Sequence, residues 1–303
     1  MHTRRVTTKP ATTSILLGAA AGLGSALVGA GWQVMTRQAT TGRYLGPDVL
    51  IVLRYMIPAL VLLPLWLRSG LPKGVPRGAL AAMVLGGGLP FGLLAITGTR
   101  FAPAAHMGVL IAGAAPLMTA VAAWLLWRER VPRDRALGLG LLAIGVALLG
   151  ARQWGGAAGT TWIGDVMFLC GAVVWVGFTL GFRRTGLAPL QAVALINAWA
   201  SIFLLPWLLW HAGPLLLAAP TGVVLTQALW QGVLAGVGAV ALYALSIREL
   251  GPAPATAIGA CVPVLSAVGG WWWLDEHLAP MEWAAVAFAA AGVALASGVL
   301  RRR

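Results

Sequence analysis

The chain has 303 residues, of which 59% are hydrophobic and only 10% are charged. Its mean hydropathy is +0.86, whereas a soluble domain carries about 25% charged residues. The composition therefore excludes an ordinary soluble protein and indicates an integral membrane protein. The net charge of +13 does not indicate a nucleic-acid partner, because the basic residues form short clusters between long apolar runs.

Ten apolar segments follow one another along the chain, and each is long enough to cross about 30 Å of hydrocarbon as a helix. We number them spans 1 to 10. They cover residues 14–38, 47–67, 77–98, 103–127, 133–150, 161–183, 188–211, 221–246, 253–274 and 280–300. We interpret the basic stretch before span 1 as the cytoplasmic flank of that span and not as a cleaved signal.

The basic residues predict the orientation of the spans. With the N-terminus in the cytoplasm, sixteen arginines and lysines fall in inner segments and four in outer segments, while Arg54 alone lies within a span. Such a bias towards the cytoplasm is typical of membrane proteins. Arginine outnumbers lysine nineteen to two, a bias that is typical of proteins encoded by GC-rich genes and that favours a bacterial source. We therefore predict a multi-pass protein of a bacterial inner membrane with both termini cytoplasmic and the lipid bilayer as its partner.

The two halves of the chain repeat each other. A shift of 147 residues, with small gaps, places Pro116 on Pro263, Trp124 on Trp271, Glu129 on Glu276 and Arg37 on Arg183. Because each half has five spans, the second half enters the membrane upside down, as in many secondary transporters. We expect an all-α integral membrane fold of ten transmembrane helices in two inverted-topology repeats of five, residues 1–152 and 153–303.

One aromatic and charged turn occurs once in each half, as AWLLWRERVP at 123–132 and GGWWWLDEHLAP at 269–280. Tryptophans favour the membrane interface. We interpret Glu129 and Glu276 as caps for the helices that follow, since negative charge suits a helix N-terminus; a role in gating is the alternative.

Residues 115–146 and 262–293, which contain these turns, resemble the drug/metabolite transporter superfamily in its EamA-type branch. The overall pattern is most similar to aromatic amino acid exporters. The resemblance implies a central cavity lined by spans 1, 3, 4, 6, 8 and 9. Where the family has a glycine before the glutamate, this chain has Arg128 and Asp275, which predicts a stiffer turn.

Prolines interrupt three of these spans, at Pro90, Pro116 and Pro263. Each removes a helical hydrogen bond, and matching breaks in the two halves of a transporter point to a binding site. The alternative is a kink that serves packing alone.

Charged and polar residues within the spans supply further candidates. Arg54 and Asp165 lie at similar depth, so they are expected to pair, or Arg54 to bind a substrate carboxylate; snorkelling to the headgroups is the alternative. His106 begins span 4 and is expected at the interface. The other candidates are amides or aromatic or sulfur-containing side chains that either bind substrate or join helices: Trp32, Gln33, Met107, Trp175, Phe178, Asn197, Gln227 and Tyr243.

These features predict a secondary transporter that exports small metabolites, chiefly neutral and aromatic amino acids, by alternating access. No acidic residue lies near a span midpoint, which favours facilitative transport. A proton-coupled exporter of a nucleoside, sugar or toxic cation is the alternative. A channel or a membrane enzyme is less favoured, because the chain has no filter or catalytic motif. We expect no cofactor, no metal, free thiols at Cys170 and Cys261, and a monomer or weak homodimer.

Overall fold

The computed structural model describes residues 12–129, 131–153 and 159–299, and every regular element among them is helical. The first repeat contains spans 1 to 5. Their helices are Thr12–Thr41 (span 1), Pro47–Val61 with Leu63–Ser69 (span 2), Arg77–Gly87 with Leu89–Gly98 (span 3), Ala104–Met107, Gly108–Gly113 and Ala114–Trp127 (span 4), and Arg133–Gln153 (span 5).

The second repeat contains spans 6 to 10. Their helices are Thr161–Thr185 (span 6), Pro189–Trp207, Leu208–Ala212 and Gly213–Ala218 (span 7), Thr221–Gln227, Ala228–Gly238 and Ala239–Leu250 (span 8), Pro252–Gly259 with Cys261–Leu274 (span 9), and Pro280–Ala296 (span 10). Gly108–Gly113, Leu208–Ala212 and Ala228–Gly238 are π-helical.

Length and apolar composition support most of the predicted crossings. Seven helices in the described part of the chain are long and apolar enough to span a membrane, and span 2 is an eighth if its two segments, bent by 59°, are counted together. Spans 5 and 10 are the two shorter apolar helices, Arg135–Ala151 and Pro280–Ala296. The predicted all-helical membrane fold is confirmed.

The break in span 3 is held by a side chain of span 2. Gly88 separates the two helical segments and Pro90 lies in the first turn of the second. The Tyr55 hydroxyl donates to the carbonyl oxygen of Gly88 at 2.5 Å. The same carbonyl oxygen also accepts from the Gly92 N–H at 3.1 Å, and the Tyr55 hydroxyl lies 3.3 Å from the carbonyl oxygen of Gly87 as well. Tyr55 therefore ties span 2 to the break in span 3.

Spans 5 and 10 are equivalent in the two repeats, and the contacts between them are pseudo-symmetric. A Cβ atom built on Gly138 would lie 2.7 Å from the carbonyl oxygen of Gly292, and one on Gly145 would lie 2.9 Å from that of Ala285. The shift of 147 residues converts Gly138 into Ala285 and Gly145 into Gly292, so each contact maps onto the other with its partners exchanged. This is the signature of an isologous, two-fold contact.

Glycines on spans 1 and 8 allow close helix packing. Gly22 of span 1 faces Ser246 and Ile258, whereas Gly232 of span 8 faces Ile57 of span 2. These glycines therefore leave room for side chains of the neighbouring helices, and small residues of this kind are common at helix contacts in membranes.

The aromatic turns have the same backbone conformation in both halves. Arg128 and Asp275 end spans 4 and 9 in the left-handed region, with φ of 55° and 56°. The amide of the following glutamate bonds back to Ala123 in the first turn and to Gly270 in the second, at 3.5 and 3.1 Å. This six-residue closure is the Schellman motif, which normally has glycine at the left-handed position.

We call the end of the bundle where span 1 finishes the distal end, and the opposite end the proximal end. Residues 42–46, 99–103, 219–220 and 275–279 lie at the distal end, and residues 70–76, 186–188 and 251 at the proximal end.

Candidate substrate pathway

Arg54 places a positive charge inside span 2 against aromatic rings. Its guanidinium carbon lies 5.0 Å from the centre of the Trp32 ring and 6.0 Å from that of Tyr55. One of its nitrogens donates to the backbone carbonyl of Gln231 at 3.3 Å. No carboxylate pairs with Arg54 in the described part of the chain. The predicted pairing of Arg54 with Asp165 is therefore wrong.

A network of amides joins spans 1 and 8 beside Arg54. The Trp32 indole N–H donates to the side-chain oxygen of Gln231 at 2.6 Å. The side-chain nitrogen of Gln231 donates to Thr36 at 2.9 Å and to the side-chain oxygen of Gln227 at 3.2 Å. Gln231 lies one turn after the candidate Gln227, a spacing that puts both amides on one face of span 8, whereas nothing in the sequence singles out Thr36. The network holds Trp32 against Arg54.

Gln33 points to a different place, where spans 1, 4 and 9 meet. Its side-chain oxygen is buried and has no hydrogen-bond partner among the described residues. A Cβ built on Gly108 would lie 3.0 Å from this oxygen, 2.6 Å from the Ser266 hydroxyl and 3.1 Å from Pro263. Gly108 begins the π-helical stretch of span 4, so the unpaired acceptor lies where two interrupted spans come together. An N–H donor in this place would satisfy it.

His106 forms a buried triad with two acids near the distal end. Its Nδ1 lies 2.7 Å from Asp165 and its Nε2 lies 2.9 Å from Glu282. The histidine is 1% exposed, because spans 4, 6 and 10 enclose it. Its position in the first turn of span 4 leaves the expected depth at the membrane interface a prediction. Both ring nitrogens are engaged by carboxylates in this structure.

Glu276 joins four spans at the distal end. It accepts a hydrogen bond from Arg37 Nε at 2.6 Å and another from the backbone N–H of Ala104 at 3.1 Å. Arg37 also donates to the carbonyl oxygen of Thr99 at 2.6 Å. The prediction that Glu276 caps the helix that follows it is wrong, because it caps span 4; Glu282, accepting from Ala279 at 2.6 Å, caps span 10.

Glu129, in the equivalent turn, is not at a helix start either. Its carboxylate lies 3.2 Å from Arg183 of span 6, with both side chains about half exposed. The prediction that Glu129 caps span 5 thus finds no support in its contacts.

The aromatic candidates Trp175 and Phe178 belong to a row of ring contacts along spans 3 and 6. Ring centres are 4.6 Å apart for Phe91 and Trp175, and 4.4 Å apart for Trp175 and Phe178. Phe182 continues the row at 5.8 Å from Phe178. Trp175 and Phe178 are partly buried.

Several other candidates make no hydrogen bond to Arg54 in the described part of the chain. Asn197 is buried and donates to Val193 of its own helix at 2.7 Å. Tyr243 is exposed and its hydroxyl lies 2.9 Å from that of Thr256. Met107 is buried, while Pro116 is partly buried within span 4. Their part in substrate binding stays a prediction.

Two grooves open at opposite ends of the bundle. The distal groove has a volume of about 420 Å³ and is lined by the ends of spans 1, 8 and 9, with Gln38, Tyr44, Gln227 and Trp273 among its residues. The proximal groove has about 280 Å³ and contains Trp66, Lys73 and Gln191. Of the predicted site residues, Gln227 lines the first groove and none lines the second.

Ten spans in two pseudo-symmetric sets, with interrupted helices and few buried charges, define a membrane carrier fold. The model of the EamA-like transporter family matches residues 16–151 and again residues 162–298. The chain therefore belongs to the EamA-like transporter family. Members of this family are transporters of small solutes and not enzymes, so the chain is a multi-pass membrane transporter of that class.

The fold also occurs among solved structures. One, titled "Crystal structure of protein", is 21% identical, with a TM-score of 0.55, and the alignment covers 96% of this chain and 99% of the other. This similarity concerns the fold alone. No curated protein matches the chain.

Proposed function

We propose that the protein carries small metabolites that bear a carboxylate, chiefly neutral and aromatic amino acids, out of a bacterial cell by alternating access. The two inverted repeats, residues 1–152 and 153–303, would rock about a shared pathway with both termini in the cytoplasm. Export is proposed from the resemblance to exporters, and the inner-membrane location from the distribution of basic residues.

The observation that carries the substrate class is Arg54. A charged group within a membrane span is costly and normally has a partner, yet no carboxylate among the described residues pairs with Arg54. Its guanidinium keeps donors free and lies over Trp32. A substrate carboxylate would complete the charge pair, since arginine binds carboxylates through two parallel hydrogen bonds.

Two other features support an amino acid. The unpaired side-chain oxygen of Gln33 is an acceptor suited to an ammonium group. The aromatic row from Phe91 to Phe182 offers ring faces to an apolar side chain. Because Trp32 and Gln33 are consecutive on a helix, they face different neighbours, so the substrate would contact them in different places or at different steps.

The test is counterflow into proteoliposomes, with phenylalanine and phenylethylamine as probes that differ by the carboxylate. The wild-type protein should carry phenylalanine saturably and phenylethylamine poorly. The substitution Arg54→Gln should raise the KM for phenylalanine by roughly tenfold to a hundredfold, because a charge-assisted hydrogen bond contributes about 1.5–3 kcal/mol. The KM of Arg54→Lys for phenylalanine should lie between that of the wild-type protein and that of Arg54→Gln.

Arg100→Gln is the matched control, because Arg100 is exposed at the distal end of span 3. It should leave the KM unchanged. Equal transport of phenylalanine and phenylethylamine by the wild-type protein, or an unchanged KM in Arg54→Gln, would contradict the proposed substrate class.

A second candidate, proton-coupled export, is favoured by the triad of His106, Asp165 and Glu282. Buried acids and histidines that contact one another are the usual proton-binding groups of transporters. Facilitative transport remains the first proposal, because the triad lies near one end of the spans. Substrate-dependent proton movement, followed with a pH-sensitive dye inside the vesicles and abolished by His106→Gln, would favour coupling; flux without proton movement would favour facilitation.

A further inference from the structure

Repeat-equivalent charge pairs occupy the two ends of the bundle in different states. At the distal end, the side chains of Arg37 and Glu276 are 19% and 12% exposed and their closest atoms are 2.6 Å apart. At the proximal end, those of Arg183 and Glu129 are 51% and 47% exposed and 3.2 Å apart. The repeat places Arg37 on Arg183 and Glu276 on Glu129, so the same arginine–glutamate pair occurs once in each half of the chain.

The distal pair is tied to its surroundings and the proximal pair is not. Glu276 also accepts from the first residue of span 4, Ala104, and Arg37 also donates to Thr99 at the end of span 3. The distal pair thus connects spans 1, 3, 4 and 9. The contacts of the proximal pair join span 6 only to the turn after span 4, and Arg183 lies 6.0 Å from the Trp127 ring of that turn.

We propose that these pairs are two latches that close in alternation, and that this structure has the distal latch closed and the proximal latch open. In an inverted-repeat carrier the opposite state is reached when the two repeats exchange conformations. In that state Glu129 would cap the start of span 9 and bind a buried Arg183, while Arg37 and Glu276 would become exposed. The latches are positioning groups for transport and do not touch the substrate.

This inference rests on the proposed alternating access but not on the proposed substrate. An ion pair that is buried in one conformational state and exposed in the other stabilises the two states to different extents. It therefore shifts the equilibrium between the two states. Removing the distal pair should therefore favour the state that is open at the distal end, whereas removing the proximal pair should not.

The test measures how fast a buried residue becomes reachable from outside the cell. Ser266 lies at the meeting of spans 1, 4 and 9 and is fully buried. A single cysteine, Ser266→Cys, is placed in a chain with Cys170 and Cys261 replaced by alanine. The rate of its reaction with an impermeant maleimide is then measured on intact cells in a medium without added substrate.

We expect Glu276→Gln to raise this rate roughly tenfold, and Arg37→Gln to raise it similarly. Glutamine at position 276 still accepts from Ala104, so the helix start keeps its cap and the variant should fold. Glu129→Gln is the matched control and should leave the rate unchanged or lower it.

The proposal is overturned if both distal variants react within twofold of the parent, or if Glu129→Gln raises the rate as much as Glu276→Gln. Neither result depends on which solute is carried, so it is separate from failure of the Arg54 experiment.

Discussion

Replacing Gly138 by alanine should weaken the contact between spans 5 and 10. A Cβ on Gly138 would lie 2.7 Å from the carbonyl oxygen of Gly292 and 2.8 Å from the Cα of Ala296. Carbon atoms pack comfortably at about 3.5–4.0 Å, so the two helices must separate by roughly 1 Å. Both of these atoms belong to the backbone, so a change of side-chain rotamer cannot relieve the clash.

The magnitude follows from two opposing contributions. Overpacking of this kind costs about 1–3 kcal/mol, whereas alanine in place of glycine inside a helix gains about 0.5–1 kcal/mol. The difference is about 0–2.5 kcal/mol, so Gly138→Ala should destabilise the protein by about 1 kcal/mol, near the middle of that range. Gly140→Ala, on the same helix with nothing within 4 Å of the added Cβ, should gain the helix contribution alone.

Thermal unfolding of the purified variants in detergent, followed by circular dichroism, measures the difference. We expect a lower midpoint for Gly138→Ala than for the parent and an equal or higher midpoint for Gly140→Ala. Equal stability of the two variants would refute the close backbone contact and with it the isologous packing of spans 5 and 10.

Two further variants test local features of the fold. Arg128→Gly should stabilise the protein by about 0.5–1 kcal/mol. The left-handed conformation costs a residue with a side chain about 1–2 kcal/mol, and the greater entropy of glycine in the unfolded chain offsets part of that gain. Asp275→Gly should stabilise the protein less, since aspartate tolerates this conformation better. A lower unfolding midpoint for Arg128→Gly would contradict the left-handed assignment. Tyr55→Phe should cost about 0.5–1.5 kcal/mol, because it removes the hydroxyl that joins span 2 to the Gly88 carbonyl at the break of span 3, while that carbonyl keeps the N–H of Gly92. Tyr44→Phe, at an exposed tyrosine, is the control, and equal midpoints for the two tyrosine variants would count against the role of Tyr55.

The spans and their interruptions could be predicted because they depend on local sequence. About 20 consecutive apolar residues are needed to cross a bilayer, and Pro90 disrupts its own helix wherever that helix packs. The repeat was visible for the same reason, as a fixed spacing between landmarks such as Glu129 and Glu276.

The partners of the charged residues could not be predicted, because they depend on how each helix is rotated and packed. Arg54 and Asp165 lie at similar depth but on spans whose packing turns them to different neighbours. His106 starts a span, and nothing in its local sequence indicates that spans 4, 6 and 10 enclose it. Glu276 precedes span 10 in sequence but lies beside the start of span 4 in space.

The inverted insertion of the two repeats is tested most directly by the sides on which equivalent residues appear. Ser69 ends span 2 and Ala218 ends span 7, and both are exposed. Single cysteines, Ser69→Cys and Ala218→Cys, are introduced into the chain lacking Cys170 and Cys261, and impermeant maleimide is added to intact or permeabilised cells. We predict labelling of Ala218→Cys in intact cells and of Ser69→Cys only after permeabilisation. Labelling of both from the same side would contradict the inverted repeat.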